Sequence, residues 1–168
     1  MKTLYLVRHA KSSWKEKGLA DKDRPLNKRG AEYADMMVNL LKKVNNIPDS
    51  IITSPAKRAS DTAIIFSKGF FENPDQIQTN ELLYMADYED FISVIKEVKE
   101  EFSKMMLFSH NPGITFFACA VSNADIENIP TCGIVRIDFN IDSWKNISTV
   151  KGEVVFFEYP KKYTIENE

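Results

Sequence analysis

The residues best suited to chemistry are the chain's two histidines, His9 and His110, each of which closes an apolar run and precedes a segment of helical spacing. In an open α/β sheet the crevice beyond the carboxyl ends of the strands is where ligands bind, so this placement makes the two imidazoles a pair at one site. Arg8 stands beside the first histidine, and Arg58 sits on the first turn of a helix that begins near Pro55. A guanidinium offers a planar fork of donors to phosphoryl oxygens, and a helix N-terminus adds free N–H groups and a favourable dipole. The expected ligand is an anion, specifically a phosphoryl group. A metal held by His9, His110 and a carboxylate is the alternative. Two neighbouring arginines repel a cation, and the sequence has no HExxH, cysteine cluster or Asp-rich loop, so no metal and no cofactor is expected.

The elements that must position these residues are read from apolar spacing. Residues 3–7, Ser50–Thr53 and residues 105–108 are charge-free runs of the kind buried on both faces of a parallel sheet. They end at Arg8-His9, Ser54 and Ser109-His110. From Asn27, a plausible N-cap, Ala31, Ala34, Met37, Val38, Leu41 and Val44 keep three-four spacing. Ala59, Ala63 and Phe66 mark a second helix over 56–66, and Tyr88, Phe91, Ile92, Ile95, Val98 and Phe102 a third. A fourth runs over 114–121 behind Pro112-Gly113. Residues 77–79 suggest a short strand, and 134–141 with 153–159 a closing hairpin-like pair. The result is an α/β fold: a three-layer α/β/α sandwich with a mostly parallel central sheet. One domain over residues 1–160 with a frayed tail at 161–168 is expected, and Phe66, Phe91 and Phe102 are read as core.

Composition bounds the function classes. The chain has 168 residues, 43% hydrophobic and 27% charged, ordinary for a globular protein with a packed core. With 22 basic against 24 acidic residues its net charge is −2, which favours neither nucleic acid nor an anionic membrane. The first apolar run is too short for a signal-peptide core or a membrane span, and Cys119 and Cys132 lack CxxC spacing, so a cytoplasmic protein with two reduced thiols is expected.

Four segments carry a resemblance. Arg8-His9-Ala10-Lys11, Asp23-Arg24-Pro25-Leu26-Asn27-Lys28-Arg29-Gly30, Ser54-Pro55-Ala56-Lys57-Arg58-Ala59-Ser60-Asp61-Thr62-Ala63 and Ser109-His110-Asn111-Pro112-Gly113 occur in the order seen in the histidine phosphatase superfamily. That superfamily includes phosphoglycerate mutases and acid phosphatases, and the short length and SHNP form resemble its SixA branch, described as phosphohistidine phosphatases. The resemblance implies a phosphoglycerate mutase-like fold, His9 as a nucleophile that becomes phosphorylated, and Arg8, Arg58 and His110 around the transferred group. Ser12, Arg24 and Asn111, within or next to these motifs, join them as expected substrate-binding residues. A neutral imidazole attacks near pH 7 when one ring nitrogen is held as N–H, for which a backbone carbonyl at the strand end suffices. Two arginines with a protonated His110 then neutralise the phosphoryl oxygens.

The pattern departs from the family where alkyl-phosphate enzymes carry an acid, usually a Glu after the third strand. Here the segment reads Asn80-Glu81-Leu82-Leu83-Tyr84, with Glu81 the nearest candidate acid and Tyr84 in its place under another register. A phosphoramidate depends less on such an acid than an alkyl ester does. The expected substrate is therefore a phosphohistidine-bearing protein domain. A phosphorylated small molecule, by hydrolysis or mutase chemistry, is the alternative, and a non-catalytic phosphate-binding module is the third. Lys11, Lys15, Arg24 and Arg29 either place positive charge at the mouth or are solvated surface residues, and Trp14 either lines the entrance or packs.

Overall fold

The computed structural model describes residues 1–74 and 76–164. Six strands, β1 (Lys2–Arg8), β2 (Ser50–Thr53), β3 (Ile77–Thr79), β4 (Lys104–Ser109), β5 (Ile134–Phe139) and β6 (Glu153–Glu158), form one sheet in the order β3-β2-β4-β1-β5-β6. The pairs β1·β4, β2·β4 and β2·β3 are parallel, whereas β5 lies antiparallel to both β1 and β6. The last two strands therefore close one edge as the antiparallel pair expected.

Five helices accompany them: α1 (Lys28–Lys43), α2 (Lys57–Phe70), α3 (Tyr88–Lys96), α4 (Gly113–Val121) and the single turn α5 (Lys161–Thr164). The chain steps outward from β1 to β2 to β3, then back across to β4 and β5. Right-handed crossovers put helices made on the outward steps on one face and those made on the return on the other. The buried clusters show that division. Ala34, Met37, Leu41, Ala63 and Phe66 of α1 and α2 pack with Tyr5, Val7, Met106 and Phe108. Phe91, Ile95, Ile114 and Phe117 of α3 and α4 pack with Leu4, Leu6, Met105 and Leu107. Successive residues of β1 and β4 feed opposite layers, so these strands read as unbroken apolar runs. No described helix is long and apolar enough to cross a membrane.

Strand ends shift from the sequence reading by one or two residues, β5 stopping at Phe139 rather than residue 141, and three helical segments differ more. The second helix runs on past Phe66 because Phe70 packs edge-on against Phe66, at 5.8 Å between ring centroids, and Gly69 sits against Val38 of α1. The third helix stops at Lys96, and the chain turns before Phe102, whose carbonyl accepts from Lys2 Nζ and Trp144 Nε1. Within the segment expected to fray, Lys161–Thr164 is helical, while residues 165–168 lie outside the described residues.

Candidate active site

The central position of β1 beside β4 brings the two histidines together. Arg8 is in register with Ser109, and the next backbone bond, His9 N–H to the Ser109 carbonyl at 3.1 Å, carries the pairing one residue past the strand end. The imidazole centroids lie 5.1 Å apart, and both residues are more than nine-tenths buried. The loop after β1 is held from three sides. Cys132 N–H reaches the carbonyls of Arg8 and His9, Ala10 N–H donates to Thr62 Oγ1 of α2 at 3.0 Å, and Gly30 of α1 presses against the Lys11 backbone so closely that a Cβ would stand 2.2 Å from the Lys11 oxygen. Asn27 caps α1 by accepting from Gly30 N–H.

His9 is poised as a neutral base. Its Nδ1 lies 2.8 Å from the Ala10 carbonyl, an acceptor only, which fixes the proton on Nδ1 and leaves the lone pair on Nε2. Arg58 Nε–H approaches that Nε2 at 3.3 Å. Burial, followed by the charges of Arg58, Arg8 and Arg24, lowers the His9 pKa to about 4 despite the Ala10 bond, so the ring is uncharged at neutral pH.

Burial first, then the proximity of His9 and Arg58, lowers the His110 pKa to about 3, so its ring is uncharged at neutral pH in the ligand-free site; the imidazolium expected from sequence belongs to the phosphoryl-bound site. His110 Nε2 lies 2.7 Å from Ser54 Oγ. That hydroxyl also accepts from Ala56 N–H at 3.2 Å, and it has His110 Nε2 as an acceptor for its own proton, an arrangement that puts the His110 proton on Nδ1. Among the described residues, two buried side-chain nitrogen atoms lack any partner, and both belong to this site: His110 Nδ1 and Arg8 Nε. The Arg8 side chain is anchored through Nη1 to the Ile129 carbonyl at 2.9 Å.

Sequence reasoning missed Asp21. Its Oδ2 accepts from Arg58 Nη2 at 2.9 Å and from the Tyr84 hydroxyl at 2.8 Å, its Oδ1 from Arg24 Nε and Nη2, and its backbone oxygen from Arg58 Nη1 at 2.6 Å. Partial burial works against ionisation, but the bonds from Tyr84, Arg58 and Arg24 outweigh it and bring the carboxyl down to about 2. Tyr84, bonded to this anion, has its hydroxyl pushed up, and its ring meets His110 edge-on at 5.5 Å. Glu81, the candidate acid, is not brought in: its side chain is 74% exposed and its carboxylate pairs with Lys22 at 2.9 Å. The 3-10 turn over Glu81–Leu83 turns Glu81 outward and delivers Tyr84 to the crevice.

The remaining expected residues act on protein groups. Arg24 spends its fork on Asp21 and on Ser12 Oγ at 2.7 Å, and its guanidinium lies 3.6 Å from the Trp14 ring centroid, where Trp14 forms an exposed flap. Asn111 donates to Asn128 Oδ1 and the Ile129 carbonyl and accepts from Thr115, stapling the start of α4 to the 128–129 loop. Beside Arg58 and His110 opens a cavity of about 760 Å³ with Tyr84, Met85, Tyr88 and Phe116 on its walls. No three His, Cys, Asp or Glu side chains among the described residues cluster as metal ligands.

Comparison with known proteins places this arrangement. A family model described as "Histidine phosphatase superfamily (branch 1)" matches residues 4–91. An uncharacterized protein of Mycobacterium leprae is 29% identical over 92% of this chain and 100% of its own length. A candidate phosphohistidine phosphatase SixA from Agrobacterium tumefaciens superposes with a TM-score of 0.80 at 27% identity, covering 95% of this chain and 98% of that one. A protein histidine phosphatase SixA complexed with tungstate gives a TM-score of 0.79 at 16% identity, over 95% of this chain and 98% of that one. The shared fold is the phosphoglycerate mutase-like sandwich.

Proposed function

Because the chain belongs to the histidine phosphatase superfamily, we propose that it hydrolyses phosphohistidine through a covalent phosphoryl intermediate on its own His9. The observation that carries this reading is the state of His9: a buried, neutral imidazole whose Nδ1–H is tied to the Ala10 carbonyl and whose Nε2 faces Arg58. In the first step the Nε2 lone pair forms a bond to phosphorus as the bond to the substrate's ring nitrogen breaks; that nitrogen keeps the bonding pair, and because the other nitrogen of the same ring already carries a proton, the substrate departs as a neutral imidazole. Arg58, with the unpartnered Arg8 Nε and His110 Nδ1, supplies donors for the phosphoryl oxygens. Since Nδ1 keeps its proton, the ring of phosphorylated His9 carries a positive charge beside the negative phosphoryl group. Water then attacks phosphorus, the P–Nε2 bond breaks, His9 departs as the neutral imidazole it began as, and both protons of the water leave with the phosphate.

The choice of a phosphoramidate over an alkyl ester rests on the acid. Asp21, the carboxylate bonded to the site's arginines, is held ionised, and Glu81 is turned to Lys22, so neither offers a proton to an alkoxide. An imidazole ring already protonated on its other nitrogen needs none. The test compares kcat/KM for a phosphohistidine peptide and for glycerol phosphate, with His9→Ala as control. A preference of at least about a hundredfold for the peptide is expected, equivalent to about 2.7 kcal/mol of transition-state stabilisation. Preference for the ester overturns the substrate assignment in favour of a small-molecule phosphomonoesterase. Acid-labile phosphate that still forms on His9→Ala overturns the nucleophile.

A further inference from the structure

A separate cavity of about 290 Å³ is lined by Arg8 but by neither Arg58 nor His110. Four cations line it, Arg8, Lys11, Arg29 and Lys161, and its lining contains no Asp or Glu. In a chain of net charge −2 this is a marked local excess. Among the described ion pairs none involves Lys11, Arg29 or Lys161. The fold gathers them deliberately: the close approach of Gly30 clamps the start of α1 onto the Lys11 backbone, which brings Arg29 beside Lys11, and the chain leaving β6 delivers Lys161. Tyr33, one helical turn beyond Arg29, and Tyr159 add hydroxyl donors.

The cavity neighbours the catalytic crevice through a third space, whose lining also includes Glu127. That space, of about 600 Å³, shares Arg8 and Asn128 with the cavity, and shares Asn111, Pro112 and Phe116 with the crevice that holds Arg58 and His110. Lys11 is only two residues from His9, a reach of about 7 Å along the chain. Like charges converging on one concavity repel one another until an anion enters, and phosphate or carboxylate oxygens are the acceptors that guanidinium, ammonium and phenol donors suit. We propose that this cavity is a second anion subsite, which takes a phosphate or carboxylate group carried by the ligand whose reacting phosphoryl group sits at His9.

Binding measurements separate this subsite from the phosphatase reading on which its second half rests. Inorganic phosphate and tripolyphosphate are titrated calorimetrically into the wild-type chain, the Arg29→Gln/Lys161→Gln double variant, and Arg29→Lys as the charge-retaining control. Wild type is expected to bind tripolyphosphate at least about tenfold more tightly than phosphate, a difference of about 1.4 kcal/mol. The double variant should lose that advantage with phosphate affinity unchanged, and Arg29→Lys should keep it. No advantage in wild type, or the same advantage in the double variant, overturns the subsite. Tripolyphosphate binding that depends on Arg29 and Lys161 in a chain that does not bind phosphate keeps the subsite and removes the phosphatase reading. A second arm identifies the source of the anion by kcat/KM on phosphohistidine peptides with Glu or Ala beside the phosphorylated residue. A Glu preference that the double variant loses assigns the subsite to acidic side chains of a protein substrate; a tripolyphosphate advantage with no Glu preference assigns it to a small molecule with several phosphates.

Discussion

Replacing His110 by Asn should flatten the acid dependence of stability. An unfolded histidine takes up its proton near pH 6.5, whereas burial holds His110 neutral down to about 3 and His9 down to about 4. Between those limits the unfolded chain binds more protons than the folded one, so acid favours unfolding. The stability associated with each neutral ring is fully present above pH 6.5, is lost as the pH falls, and is gone below the folded pKa. Each ring contributes a loss of about 1.4 kcal/mol per pH unit over that window. The stability lost between about pH 6 and about pH 4.5 should therefore be smaller in His110→Asn than in wild type by about 2 kcal/mol. Carboxylates such as Asp21 titrate lower and in both proteins, so they cancel in the difference. His9 stays buried and neutral throughout the window and keeps its own share. Urea unfolding followed by far-ultraviolet circular dichroism at several pH values gives the two curves, and only their slopes against pH matter, so any uniform loss from removing the Ser54 contact drops out. Equal losses in the two proteins would refute the argument: His110 would then titrate near its ordinary value and take up its proton within the window, as an unfolded histidine does.

Three substitutions test the remaining geometry. Arg58 uses three nitrogens on His9 Nε2, the Asp21 carbonyl and the Asp21 carboxylate, and Arg58→Lys keeps the charge without the fork, so kcat/KM should fall about a hundredfold while far-ultraviolet dichroism is unchanged. Glu81→Gln should leave kcat/KM within about twofold of wild type, because its carboxylate meets only Lys22; a hundredfold loss on an alkyl phosphate would restore Glu81 as the acid. Gly30→Ala would force a Cβ to within 2.2 Å of the Lys11 oxygen, at a cost of about 1–3 kcal/mol, and differential scanning calorimetry should show Tm lowered by roughly 3–10 °C.

What the sequence made legible was whatever depends on one element at a time. β1, β2 and β4 declare themselves because the centres of strands buried on both faces are unbroken apolar runs, and Asn27 declares itself because a cap must stand just before an apolar period. His9 and His110 follow from those strand ends. What it hid depends on how two loops meet. Asp21 and Asp23 flank Lys22 with equal claims, and only the fold selects Asp21, by laying its 3-10 turn across Arg58 while the Glu81–Leu83 turn swings Tyr84 onto the same carboxylate. The neutrality of His110 was hidden for a related reason, since desolvation is a property of everything packed around the ring and no single neighbour in the sequence announces it. Asp21 then alters the meaning of the arginines. Read alone, Arg58 and Arg24 are free donors awaiting phosphate; in the folded chain both already hold a carboxylate, and Arg58 Nε is turned onto His9 by that grip. On the proposed mechanism, a phosphoryl group arriving at His9 meets an arginine already oriented by an internal anion, and Asp21 trades part of the site's positive potential for a fixed direction of attack.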